Sequence, residues 1–252
     1  MAKDLKQQAY VYLRQQLLQG RLRAGTTISP HAIAREMGIS HTPVREALSR
    51  LESEGLIQHV PRLGPQVRRF GRAELDEVFD LRRVFECGAV ELASERASPG
   101  QRREMQDLCR QYGEMVGQAR EQDLQHYGGP LVDAMDQGDL RLHTLIVAAA
   151  GSPRLVKMLS DLSLLRRVFQ HGHDRDVSGL SVLERVSRID RDHTEVVEAL
   201  CNRDASKARE AMARHIEHAR EIHAHLLEQQ ASQEAISLDD VYGVEAADEN
   251  LP

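Results

Sequence analysis

The sequence predicts a mainly α protein. A winged helix-turn-helix occupies residues 1–72, an all-α bundle of six helices fills 73–229, and an acidic, disordered tail follows over 230–252. Three observations predict it. Aromatic residues make up 4% of the chain, with no Trp, and Ala, Leu, Arg and Glu dominate, a composition that favours helix. Two short helical patterns near the N-terminus are separated by a glycine break and followed at once by β-capable runs. From residue 73 the periodicity becomes that of long helices punctuated by Gly and Pro.

The elements follow in order. Residues 5–19 place Leu5, Ala9, Tyr12 or Leu13, and Gln16 or Leu17 at helical spacing, and Gly20 stops the run. RLRAGTTIS reads as a turn and a short extended piece. A second helix follows Pro30, with Ile33, Ala34 and Met37 on its apolar side and Gly38 as its break. The link GISH leads to a third helix, where Thr42 is expected as cap and Pro43 at the first position. Val44, Leu48 and Leu51 form its buried stripe. EGLIQHV and PQVRRF, joined by the turn PRLG, make a hairpin directly after that helix, which is a wing. Beyond it, helices are expected at 73–97, 100–121, 131–150, 153–170, 180–202 and 204–229. Residues 230–252 hold acids and no Lys or Arg.

Composition excludes several classes. No apolar run approaches the roughly 20 residues that span a bilayer, and MAKDLKQQAY has no apolar segment of a secretory signal, so a cytoplasmic location is expected. Three cysteines, Cys87, Cys109 and Cys201, without a CxxC pair point to reduced, packed thiols. The net charge of −6 conceals an asymmetry: residues 1–72 carry 12 basic and 5 acidic side chains, and the remainder is strongly acidic. A basic module on an acidic body is the footprint of a surface that meets a polyanion.

The run GRLRAGTTISPHAIAREMGISHTPVREALSRLESEGLIQHVPRLGPQV resembles the N-terminal domain of the GntR family of bacterial regulators, through Gly25, Ile33-Ala34, SHTPVREAL and EGL. The resemblance implies a homodimer whose two winged helices read an inverted-repeat operator in double-stranded DNA, with the third helix in the major groove. On that reading Arg45 contacts a base edge, Ser40, His41 and Thr42 meet phosphate or bases, and Arg35, Arg50 and Arg62 meet phosphates. His41 departs from the family's usual Arg, which makes its contact weaker and pH-sensitive.

In the second half, DLRLH places Asp139 and His143 on one helix face, with His193 and His215 on later helices. One carboxylate and three imidazoles suit a divalent transition metal, although twelve histidines make chance Asp/His pairs common. The segments LRRVFECGAVELA, DLRLHTLIVAAAGSPRL and DHTEVVEALCNRDASKAREAMARHI resemble the FadR-like branch of that family, with its all-α FCD effector domain. That resemblance implies a metal on Asp139, His143, His193 and His215, zinc first with nickel or manganese as alternatives. It also implies a small carboxylate effector paired with Arg82, or with Arg83 if the register is one residue off. Ser152 stands where the family usually has Asn. His171, His173, His218, His223 and His225 read as surface or loop residues.

The function expected is a DNA-binding regulator, a repressor relieved by an organic acid. Two other readings remain open at this stage. In one, the metal serves only structure and dimerisation. In the other, a metal-dependent enzyme activates water, but no HExxH motif is present and Glu195 and Glu198 have no assigned partner, so an enzyme is not expected.

Overall fold

The computed structural model describes residues 2–19, 21–69, 71–125, 129–170 and 181–242. The N-terminal domain is built from α1 (Ala2–Leu18), α2 (Pro30–Met37) and α3 (His41–Ser53), followed by strands β1 (Ile57–Val60) and β2 (Gly64–Val67). Ser29 caps α2, its hydroxyl accepting from the Ala32 amide, and Pro30 opens the helix where no backbone N–H is missed. Gly38, at φ 66°, ends it in the left-handed region that a side chain would resist. Helix α3 starts earlier than the sequence pattern indicates. Its cap position is Ser40, and Thr42 and Pro43 lie inside the first turn. Proline is tolerated there because the first four amides of a helix have no intrahelical acceptor.

The strands pair antiparallel from Ile57 opposite Val67 to Val60 opposite Gly64, and Thr27 adds a bridge to Gln66. Tyr10, Leu13 and Leu17 of α1 close over Ile33, Val44, Leu48, Leu51 and Val67, giving this domain its own core. A winged helix-turn-helix is what forms.

Six helices follow: α4 (Arg72–Arg96), α5 (Pro99–Glu121), α6 (Pro130–Ala149), α7 (Pro153–Gln170), α8 (Val182–Cys201) and α9 (Ala205–Tyr242). Capping boxes start α5 (Ser98 with Gln101) and α8 (Ser181 with Glu184). The Ser152 hydroxyl accepts from the Leu155 amide at the start of α7, so serine caps where the family has asparagine. Helix α4 lies along α9, and α8 packs between α9 and α5. Phe79, Val90, Met105, Leu142, Ile146, Leu200, Met212 and Ile216 meet in the main core. Arg14 of α1 reaches Ser160 of α7 at 2.9 Å, tying the two halves together.

One boundary differs from the sequence reading. Helix α9 continues to Tyr242, through the first part of what 230–252 was expected to leave unstructured. No Gly or Pro interrupts 230–242, and Ala, Gln, Glu and Leu there are good helix formers. The rest of that segment lies outside the described residues. Among the described residues no helix is long and apolar enough to cross a membrane. The three cysteines are free thiols, with Cys87 buried and Cys109 and Cys201 half-buried.

Candidate metal centre and nucleic-acid interface

The outer face of α2 and α3 is where the basic module opens to solvent. Arg35, Ser40, His41, Thr42 and Arg45 are all exposed, as is Arg62 at the wing tip. The hydroxyl of Ser40 makes no capping bond to its own helix. Arg35, Arg45 and Arg62 have no ion-pair partner among the described residues, which leaves their guanidinium groups to an outside anion. Arg62 holds φ 69° in the turn between the strands. His31 and His41 stack loosely, with ring centroids 5.1 Å apart.

Arg50 is exposed as well, but neighbouring side chains hold it. Its guanidinium lies 3.6 Å over the Tyr10 ring and bonds Gln7 and Glu54, each at 3.1 Å. The side chain reaches from α3 to α1 and ties the two helices together while staying open to solvent.

The second site sits inside the helical bundle. Asp139 and His143 occupy successive turns of α6, His193 comes from α8 and His215 from α9, and all four are buried. Their ligand atoms lie within 4.8 Å of one another. Asp139 Oδ1 is 3.5 Å from His143 Nε2 and 3.3 Å from His193 Nε2, and the Nε2 atoms of His143 and His215 are 3.1 Å apart. A cation with bonds of about 2.1 Å separates neighbouring ligands by about 3.0–3.4 Å, and the three shortest of these spacings lie close to that range.

Electrostatics points the same way. Glu86 of α4, fully buried, faces Nδ1 of His143 in a short contact, which assigns the proton to Nδ1 and leaves Nε2 as a lone pair. On His215 the atom turned toward a carboxylate is again Nδ1, 3.6 Å from Asp192 Oδ2. With a proton on that nitrogen, two lone pairs face each other at 3.1 Å. With the proton on Nε2 instead, the same contact is a hydrogen bond, and a metal ion would replace that proton.

Burial, with the neighbouring imidazoles adding to it and Asp192 and Asp139 opposing, pushes His215 down to about 3, so it is neutral at pH 7. For Glu86 burial pushes upward, but Arg82 and His143 outweigh it and hold the carboxyl below its usual range. Asp192 is likewise lowered against its burial by His215 and by His218, whose Nδ1 lies 2.8 Å away.

Arg82 is buried and Arg83 exposed, so the register places Arg82 toward the centre. Its Nε donates to Glu86 at 2.6 Å, and its Nη1 is buried without a partner. Arg82, Tyr112, Asp136, Asp139, Arg185, His215 and His223 line one enclosed cavity with about 30 Å³ open to the centre of a water-sized sphere. By that measure it has room for about two waters. A wider groove of about 600 Å³ runs between α1 and α6, and none of the four clustered Asp and His residues lines it.

Several site residues escaped the sequence reading. Glu86 is one of them, the i,i+4 partner of the expected Arg82 and openly displayed in LRRVFE. Asp192 and Tyr112 reach the histidines only across helix packing; the Tyr112 ring meets His193 edge-on at 5.3 Å. His223, expected at the surface, is buried with Nδ1 bonded to the Ala219 carbonyl at 2.7 Å. His218 is bonded to Asp192, while His171 and His173 lie outside the described residues. Glu195 and Glu198 are exposed, and Glu195 pairs with Arg214 at 2.6 Å, so neither is placed to act as a base at the cluster.

Fold and sites together define a winged-helix DNA-binding module joined to a helical bundle with a buried polar centre. The family described as bacterial regulatory proteins, gntR family, matches residues 5–67, and the FCD domain matches residues 77–218. A helix-turn-helix-type transcriptional regulator in an unstable DNA locus of Streptomyces ambofaciens is 31% identical over 214 residues, covering 82% of this chain and 80% of its own. The helix-turn-helix-type transcriptional repressor GlaR of Escherichia coli is 28% identical over 213 residues, covering 82% and 90%. The solved structure of E. coli McbR superposes with a TM-score of 0.71 at 26% identity, covering 90% of this chain and 98% of that one. The chain belongs to the GntR family of bacterial regulators, in the branch that carries an FCD domain, and is a DNA-binding transcriptional regulator, not an enzyme.

Proposed function

We propose that this regulator is a cytoplasmic repressor whose grip on an inverted-repeat operator is set by a small carboxylate bound beside a metal ion in the helical domain. The observation that carries the reading is the convergence of Asp139 with three imidazole nitrogens, two of them 3.1 Å apart, beside a cavity lined by Arg82, whose Nη1 is buried without a partner. Zinc is the ion this donor set favours, with nickel and manganese as the alternatives. When bound, the ion supplies positive charge and open coordination positions for acid oxygens. Arg82, anchored through Nε, offers its outer guanidinium edge to the carboxylate.

Arg45 reads a base edge; Ser40, His41, Thr42, Arg35 and Arg62 set position and affinity through the backbone. Two copies assemble through their helical domains. Val84 and Leu81 on the outer face of α4, 69% and 37% exposed, support such a contact. Relief of repression requires that the acid bind the two inter-domain arrangements unequally, by about 1–3 kcal/mol for ordinary coupling.

The test is a thermal-shift screen of the full chain against small carboxylates, with and without a chelator, followed by binding to duplexes selected from random DNA. An acid that raises the melting point only in metal-loaded protein and releases selected DNA supports the reading. An effector-insensitive DNA complex leaves the metal a structural role and refutes the switch.

A further inference from the structure

Glu86 has no surface in contact with water, and an isolated carboxylate in such a place is costly enough to protonate or find cationic partners. It has one partner on each oxygen. Oε1 accepts from Nε of Arg82 at 2.6 Å, and Oε2 accepts from Nδ1 of His143. The first bond holds the guanidinium by its inner edge and leaves Nη1 buried without a partner, in a residue that lines the same cavity as Asp139 and His215. The second fixes the tautomer of His143 and aims the Nε2 lone pair at His215 and Asp139. A ligating imidazole whose other nitrogen donates to a carboxylate is held in one orientation and made more basic.

We propose that Glu86 is the positioning residue of this centre: one buried carboxylate that sets His143 for a metal ion and, through its other oxygen, aims Arg82 into the same cavity. The assignment rests on the quartet being a metal site. A plain buried salt bridge needs only one of these contacts. Glu86 makes both, from α4 to its own helix and across to α6. Glutamine in its place presents an oxygen to one partner and an NH₂ group to the other, donor against donor.

The experiment compares full-length wild type, Glu86→Gln, and the double variant Arg82→Met/Glu86→Gln, which leaves no buried charge unpaired should the single variant fold poorly. Cooperative melting identifies the folded variants. Zinc affinity is read by competition with a chromophoric chelator, and cobalt(II) absorption reports the ligand geometry. Zinc affinity weaker by 10–100-fold in a folded variant, with an altered cobalt spectrum, is the expected result. Affinity within threefold of wild type and an unchanged spectrum overturn the role of Glu86. A wild type that takes up neither zinc nor cobalt overturns the metal reading itself, and this assignment with it.

Discussion

Replacing His215 with leucine should reverse its effect on stability depending on whether metal is present. The side chain is 2% exposed, with Nε2 3.1 Å from the Nε2 of His143 and Nδ1 buried beyond hydrogen-bond reach of a partner. In metal-free protein, leucine removes an unsatisfied buried nitrogen, a group worth about 1–3 kcal/mol, at the cost of the contact with His143. At about 2–4 °C per kcal/mol for a chain of this length, the metal-free variant should melt at or slightly above metal-free wild type. Zinc at 100 times its dissociation constant stabilises wild type by about 2.7 kcal/mol, hence by roughly 5–11 °C, and the three-ligand variant should gain almost none of it. Scanning fluorimetry or calorimetry, with chelator and then with excess zinc, reads both orders. A variant less stable than wild type in chelator, together with a wild type indifferent to zinc, would show that His215 is an ordinary packed histidine.

Other outcomes follow from the same geometry. Arg45→Ala should weaken binding to a selected operator by about 1–3 kcal/mol while leaving the melting point unchanged, and equal binding by mutant and wild type refutes its base-reading role. Arg50→Ala should do the opposite, lowering stability by about 1 kcal/mol through loss of the Gln7, Glu54 and Tyr10 contacts with little change in the salt dependence of DNA binding. A salt slope reduced by about one would restore Arg50 to the phosphate contacts. His215 sits near 3 in the fold against about 6.5 when exposed, so as pH falls below 6.5 the unfolded chain takes up the proton first and stability is lost. Between pH 7.5 and pH 5 that loss is about 2 kcal/mol in metal-free protein, and His215→Leu should lack it; parallel denaturant curves for the two proteins contradict the shift.

Much of this architecture is legible in sequence because its signals are local. Gly38, Pro30 and the PRLG turn punctuate the DNA-binding half, and each acts through its own backbone. Asp139 and His143 share a face by helix geometry alone, and the histidines on α8 and α9 stood out by resemblance to a known effector domain. What stayed hidden depends on packing. Asp192 meets His215 and His218 only once α8 lies against α9, and His223 looks like one more surface histidine until Phe79 packs beside it, 5.4 Å between ring centroids. The contacts of Arg50 with Gln7 and Tyr10 form only once α1 lies against α3. Ser40 displaced Thr42 as the cap of α3 because both are good capping residues and the choice rests on where the preceding turn ends. Glu86 was the avoidable omission, since its spacing from Arg82 announces an ion pair; its second partner, His143, is 57 residues away in sequence.

The most direct test of the central claim is a calorimetric titration of the chelator-treated full chain with zinc, alongside Asp139→Ala and His193→Ala. One zinc per wild-type chain is expected, with no comparable uptake by either variant and both variants still folded and still binding DNA. No uptake by wild type, or full uptake by both variants, would contradict it.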